Sequence, residues 1–393
     1  MITRIEIDGF KSFLGFSLDL TPFTVLAGPN GTGKSNLFEA IDLARRLITD
    51  TDGRSWLRGM RRGQLIDQFH TGPDGVTVPQ MRLLVRFLVD LPGHGLQHVE
   101  AVIEAELREA PGMPETTVRL RALAELPEGW TLTDQEAAAV GRPVLQAGAF
   151  AVVMAASHGG WLEMFHRELF GWTMLAPDPE SIRMPSDLYD SDALSPSGRN
   201  LPGVLGRLLG ESGTVGTPES FRLLADAAAV LRGLTGVVPT PDPNRGVWDL
   251  DLVYEAAAKV PVRLASDGTL RILALLTAAH DPDNPGTLMV EEPENGLHPG
   301  QVRELVRRLR ATTNPATRRQ ILLTTHSPVV LSALLPDHQG DAVFIDTVTR
   351  VGGDRGPVRH TRARRLGMSG EPGTFVPARE ARRFLESAVA GPG

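Results

Sequence analysis

The chain has 393 residues, more than the roughly 250–300 at which one hydrophobic core stops growing, so two lobes are expected. With 41% hydrophobic and 22% charged residues it has an ordinary globular composition, and the absence of cysteine excludes disulfides, thiolate metal sites and a cysteine nucleophile. The net charge of −7 argues against a wholly basic nucleic-acid coat, though a local basic patch stays open because partner binding follows the distribution of charge.

In chain order, Ile2, Ile5 and Ile7 predict a first strand, followed by a turn around Gly9, Phe10, Lys11 and Ser12. A second apolar segment, FTVLA at 23–27, runs straight into GPNGTGKS, after which Leu37, Phe38, Ile41, Ala44 and Ile48 recur at helical spacing. Strands are predicted around 76–89, 99–107 and 118–123, a helix over 161–175, a long Pro/Ser/Asp/Gly-rich loop over 178–203 and a helix over 221–234. From 248 regularity returns: a strand at 248–253, a helix from about Ser266, a strand at 287–290, and a helix with Val302, Leu305, Val306 and Leu309 on one face. A strand at 320–325 and a helix from Pro328 follow. The last 40 residues are polar and rich in Arg and Gly, with a short helix predicted at 379–388. Short apolar strands alternating with helices imply an α/β fold with a mostly parallel sheet. No apolar run reaches about 18 residues and no leader pattern opens the chain, so a cytoplasmic protein without a membrane partner is expected.

Four segments carry chemistry. Gly28, Pro29, Asn30, Gly31, Thr32, Gly33, Lys34 and Ser35 match G-x-x-x-x-G-K-[ST] completely, with a strand before and a helix after. Glycines let successive N–H groups converge on phosphate oxygens, and the helix start adds its positive end. Lys34 is expected at the β- and γ-phosphates of ATP, and the Ser35 hydroxyl on Mg²⁺. The strand at 287–290 ends in two carboxylates. Glu291 suits a magnesium ligand, and Glu292 a base that orients or deprotonates the attacking water. The next strand ends at His326, able to donate to the γ-phosphate or the water from one nitrogen while a neighbour holds the other. Ser266 is a good helix cap and Gly268 permits close backbone approach, a combination found at many ordinary helix starts.

In this order the segments resemble the ABC-type ATPase heads of the SMC/RecF-like class, in particular the compact bacterial "AAA family" or OLD-like ATPases without long coiled coils. GPNGTGKS looks like their Walker A, LASDGTLR (264–271) like their signature motif, EEPENGLHP (291–299) like Walker B running into the D-loop, and TTHSP (324–328) like the H-loop. IEIDGFKSF at the start resembles their first strand and turn. The resemblance implies a P-loop NTPase of the ABC-ATPase head type, with a mixed sheet flanked by helices and a second helical/β lobe. It implies a discontinuous ATP-binding core at 1–50 and 245–350, an inserted lobe at 51–244 and a C-terminal tail at 351–393. It further implies a homodimer sandwiching two ATP molecules, in which Ser266 and Gly268 of one subunit meet the γ-phosphate held by Lys34 of the other. Asn30 would face the γ-phosphate, Asn36 completes the nucleotide-binding set, and Lys11 would lie by the base or ribose. The loop of Asn295, Gly296 and Leu297 would cross the dimer interface.

Two departures bear on function. The magnesium carboxylate is usually Asp where Glu291 stands, which leaves the division of roles between Glu291 and Glu292 open. Ser-Asp-Gly-Thr in place of the transporter Ser-Gly-Gly-Gln argues against a transport ATPase. Gln64, Gln68 and Gln146 are the candidates for a Q-loop glutamine. Only 67 residues follow His326, too few for a TOPRIM nuclease domain, so an effector nuclease or toxin is expected to be encoded separately. Arg54, Arg58, Arg61 and Arg62, and Arg359, Arg362, Arg364 and Arg365, form two basic segments that would suit a DNA backbone, or simply a solvated surface.

Overall fold

The structure, a computed structural model, describes residues 1–49, 64–91, 95–107, 115–123, 168–210, 216–255, 258–314, 318–334, 337–350, 358–366, 375–377 and 380–381. Gln146, the first arginine segment and most of the helix predicted at 379–388 lie outside them. The chain divides into two units, Met1–Trp172 with Gln339–Phe384, and Thr173–His338 with Leu385–Gly393.

The first unit opens with β1 (Ile2–Asp8), β2 (Phe16–Asp19) and β3 (Phe23–Ala27), then α1 (Lys34–Ile48). The strands β4 (Gln80–Leu91), β5 (Gly95–Glu106) and β6 (Glu115–Leu123) complete an antiparallel sheet in the order β2-β1-β4-β5-β6. Alternation explains it: Ile2, Ile5, Ile7, Leu83, Val85, Phe87, Val99, Ala101 and Ile103 are all buried. The helix α1 packs against β4 and β5 through Leu37, Phe38, Ile41 and Ala44, the face its spacing predicted. β3 is buried along its whole length, as a strand leading into a phosphate loop must be if it is covered on both faces.

The second unit contains β7 (Thr173–Leu175), α2 (Pro179–Ile182), β8 (Ser186–Asp187), α3 (Leu201–Leu209), α4 (Pro218–Val230), β9 (Leu234–Asp242), β10 (Val247–Tyr254) and β11 (Ala258–Pro261). The regular part follows as α5 (Asp267–His280), β12 (Gly286–Glu291), α6 (Pro299–Thr312), β13 (Arg319–Thr325) and α7 (Pro328–Leu334). β7, β12 and β13 pair in parallel, and Val302, Leu305, Val306 and Leu309 are the buried face of α6, as predicted. Three helices are tied by one carboxylate: Asp226 of α4 receives Arg308 of α6 at 2.9 Å and lies 2.8 Å from His280 Nε2 at the end of α5. Burial alone would raise the Asp226 pKa, but His280 and Arg308 outweigh it and hold it below the usual carboxylate value.

Three sequence expectations are corrected. Residues 173–175 are a parallel strand beside β12 and not the end of a helix, an ambiguity inherent in short apolar runs. The loop expected at 178–203 contains α2, β8 and the start of α3. After β14 (Ala342–Arg350), the stretch expected as a tail at 351–393 holds β15 (Val358–Leu366) and β16 (Phe375–Val376) among its described residues, strands of the first unit. There β3 and β14 are parallel, β14 and β15 antiparallel, and β15 and β16 parallel, so the sheet is mixed. Among the described residues no helix is long and apolar enough to cross a membrane.

Candidate active site

The loop after β3 is shaped by three glycines. A Cβ on Gly28 would lie 2.1 Å from the Ile345 carbonyl oxygen, and Gly31 and Gly33 have φ of 77° and 101°, where side chains are strained. Gly33 caps α1 without a side-chain acceptor, and no acidic residue stands in the first turn. The first N–H groups and the positive helix end are thus presented to an anion with no internal carboxylate in competition. Lys34 is buried, and its Nζ donates to the carbonyls of Gly28 (2.7 Å) and Pro29 (2.8 Å), which holds the ammonium over the loop. Thr32 Oγ1 donates to the Pro29 carbonyl at 2.9 Å, while Asn30 and Ser35 are exposed.

Lys11 lies in the turn after β1. It sits at φ 44°, donates its backbone N–H to the Gln68 carbonyl, receives His70 Nδ1 on its own carbonyl at 2.6 Å, and pairs through Nζ with Glu39 of α1. Gln68 is buried beneath this turn and Gln64 caps the short helical turn before it.

In the second unit, β12 and β13 run in register, with Glu291 opposite Thr324. Glu292, one residue past Glu291, and His326, two residues past Thr324, therefore leave neighbouring strand ends. Glu292, at φ 46°, donates its N–H to the Thr324 carbonyl, and its Oε1 lies 3.0 Å from His326 Nδ1. Asn295 Nδ2 donates to the other oxygen at 2.9 Å. The carboxylate is thus oriented from both sides, and His326 keeps Nε2 for a second partner. Glu291 Oε1 is buried without a hydrogen-bond partner, which fits a carboxylate meant for a cation. Among the described residues no group of three or more His, Cys, Asp or Glu side chains is placed to hold a metal by itself.

Sequence reasoning missed Glu294. Its Oε1 accepts Thr325 Oγ1, and its Oε2 is buried with no partner. Burial raises its pKa, opposed by the Thr325 hydrogen bond and by His326. An acid whose folded pKa exceeds its unfolded value binds more protons when folded, so stability falls as pH rises from about 4.5 through the folded value. Glu294→Gln is therefore expected to gain stability over the wild type as pH rises from about 4.5 to the folded value, by roughly 1.4 kcal/mol for each pH unit between the two. Urea melts across a pH series check this, and parallel curves for the two proteins would refute it.

Ser266 caps α5, accepting the Thr269 N–H at 3.2 Å. A Cβ on Gly268 would lie 2.9 Å from Leu297 Cδ2 and 3.1 Å from the Gly296 carbonyl oxygen. Arg271 donates to the Asn295 carbonyl at 2.9 Å. The helix start and the 295–297 loop are thus packed into one piece.

The arginines of β15 are paired internally: Arg362 and Arg364 on Asp346, Arg364 also on Glu380, and Arg365 on the carbonyls of Gly340 and Asp19. Of the four arginines in that segment Arg359 is exposed, and Arg362, Arg364 and Arg365 are half-buried.

Comparison with known proteins gives matches over parts of the chain. Residues 166–332 match the family model described as "AAA domain, putative AbiEii toxin, Type IV TA system", and residues 4–85 match a second AAA-domain model. The chain is 37% identical over 93 residues to the chromosome partition protein Smc of Gloeobacter violaceus (23% of this chain, 7% of that protein). It is 36% identical over 75 residues to the DNA replication and repair protein RecF of Mesorhizobium japonicum (19% and 17%). The matches span less than a fifth of these relatives. A crystal structure of an Smc head bound to the C-terminal winged-helix domain of ScpA superposes with a TM-score of 0.56 at 15% identity, over 93% of this chain and 98% of that one. An Smc head with an extended coiled coil, bound to the C-terminal domain of ScpA from Pyrococcus furiosus, gives 0.53 at 12% over 98% of each. The fold is that of an SMC-type ATPase head. Over the matched segments the chain is similar to AAA-domain proteins and to SMC and RecF proteins.

Proposed function

We propose that the chain binds Mg²⁺·ATP at the 28–35 loop and hydrolyses it. Lys34, Gly31, Gly33 and the start of α1 hold the phosphates, Glu292 serves as base and His326 as its hydrogen-bonding partner toward the γ-phosphate. Ser35 and Glu291 are the residues for Mg²⁺, which would neutralise charge developing on the phosphates. The observation that carries the reading is the Glu292–His326 contact at 3.0 Å, with Asn295 on the opposite carboxylate oxygen. A carboxylate fixed at both oxygens is preorganised to align a water, and a bare acidic turn has no need of either partner.

Following the family pattern, two copies close on ATP, with Ser266 and Gly268 acting across the dimer, and the ATP-bound state gates a separately encoded effector in the cytoplasm, in DNA repair or anti-phage defence. The toxin-system wording of the matched family favours defence. It also favours a second reading, a toxin-controlling switch with little turnover. The internally paired arginines of β15 count against DNA contact at that strand. Size-exclusion chromatography of Glu292→Gln with ATP tests the dimer: a species of twice the monomer mass is expected, and a monomer at saturating ATP would contradict the sandwich.

A further inference from the structure

Thr361 lies in β15, outside both matched family segments, and is 2% exposed. Its Oγ1 is 2.8 Å from the Thr32 carbonyl oxygen and 2.8 Å from Ser12 Oγ, and its backbone N–H donates to the Ser12 carbonyl at 2.8 Å. Asn36 Nδ2, from the first turn of α1, reaches the same Ser12 Oγ at 3.0 Å. A carbonyl can only accept, so the single Thr361 proton goes to Thr32, and the Ser12 hydroxyl donates to Thr361 while accepting from Asn36. The four groups form a directed chain, Asn36 to Ser12 to Thr361 to Thr32, with each member supplied.

The last link bears on phosphate binding. In a trans peptide the carbonyl and the N–H point in opposite directions within one plane. Fixing the Thr32 carbonyl therefore fixes the direction of the Gly33 N–H, one of the amides the loop offers to a phosphate. The fit is close: a Cβ on Gly33 would lie 2.4 Å from Thr361 Oγ1 and 2.7 Å from Ser12 Oγ. We infer that Thr361 is a positioning residue for the phosphate loop, aiming the Gly33 amide from a strand more than 300 residues further along the chain. Its consequence for nucleotide affinity rests on the ATP reading above; its consequence for the loop does not.

Thr361→Val keeps the shape and removes the hydroxyl. Two assays separate the claims. Without nucleotide, amide hydrogen exchange over residues 28–36 is expected to speed up by about tenfold, the order of one buried hydrogen bond. With Mg²⁺·ATP, Kd and KM are expected to rise by about tenfold while kcat changes less than twofold, and Thr361→Ser is expected to restore both. Ser12→Ala, which deletes the group upstream of Thr361, is expected to shift both assays in the same direction by a smaller factor, and serves where Thr361→Val does not fold. Unchanged exchange and unchanged affinity in the folded variants would overturn the assignment. A wild-type protein that fails to bind ATP would instead overturn the nucleotide reading, and the exchange result would still decide the role of Thr361.

Discussion

Glu292→Gln is expected to lower phosphate release by a factor of about 10²–10⁴, the usual worth of a positioned acid–base group, with ATP affinity changed by less than about threefold. The substitution conserves shape but not hydrogen-bonding capacity. Glu292 accepts from Asn295 Nδ2 on one oxygen and faces His326 Nδ1 on the other. A glutamine offers one oxygen and one NH₂. If its oxygen keeps Asn295, its NH₂ faces His326 Nδ1, which must then accept, and the imidazole proton moves to Nε2. The variant thus loses the base and resets the histidine tautomer together. On the proposed reading Glu292 does not grip the phosphates, so substrate binding should survive. A variant that turns over ATP at the wild-type rate would favour the low-turnover switch.

Lys34→Ala is expected to act at the earlier step. Lys34 Nζ bonds the carbonyls of Gly28 and Pro29, so its removal deletes two ties within the loop and the cation proposed to meet the phosphates. Hydrogen bonds to charged groups are worth about 1.5–3 kcal/mol, which converts to roughly a 10- to 150-fold loss of ATP affinity. The check is thermal. Ligand binding to the native state adds RT ln(1 + [L]/Kd) to the unfolding free energy and thereby raises Tm, so millimolar ATP should stabilise the wild type and leave Lys34→Ala nearer its nucleotide-free value. Equal shifts in the two proteins would place the nucleotide elsewhere.

The phosphate loop was legible in the sequence because eight consecutive residues carry the whole motif and the flanking apolar pattern supplies the strand and helix. The acidic pair and His326 were legible singly. The contact between Glu292 and His326 was not, because it depends on the parallel register of β12 and β13, which sets Glu291 opposite Thr324 and brings the two strand ends together. Glu294 was invisible for a similar reason: only the fold buries its carboxyl under Thr325. β9 escaped notice because Pro239 and Pro241 read as breakers, yet it pairs with β10 alone, and an edge strand tolerates proline. β15 escaped notice because its alternation is carried by arginines. Asp346 stands opposite Arg362 in the register and binds both Arg362 and Arg364, so a strand that looks like a polar tail is held as cross-strand ion pairs. The reading of Lys11 as a nucleotide contact came from the resemblance alone, and the pairing with Glu39 gives that side chain a partner within the protein.

The most direct test of the central claim is phosphate release by the purified wild-type chain at saturating ATP, with and without Mg²⁺, beside Lys34→Ala and Glu292→Gln. Release that requires Mg²⁺ and is lost in both variants is the predicted result. Release that persists in either variant, or a wild-type chain that binds ATP and releases no phosphate, would contradict it.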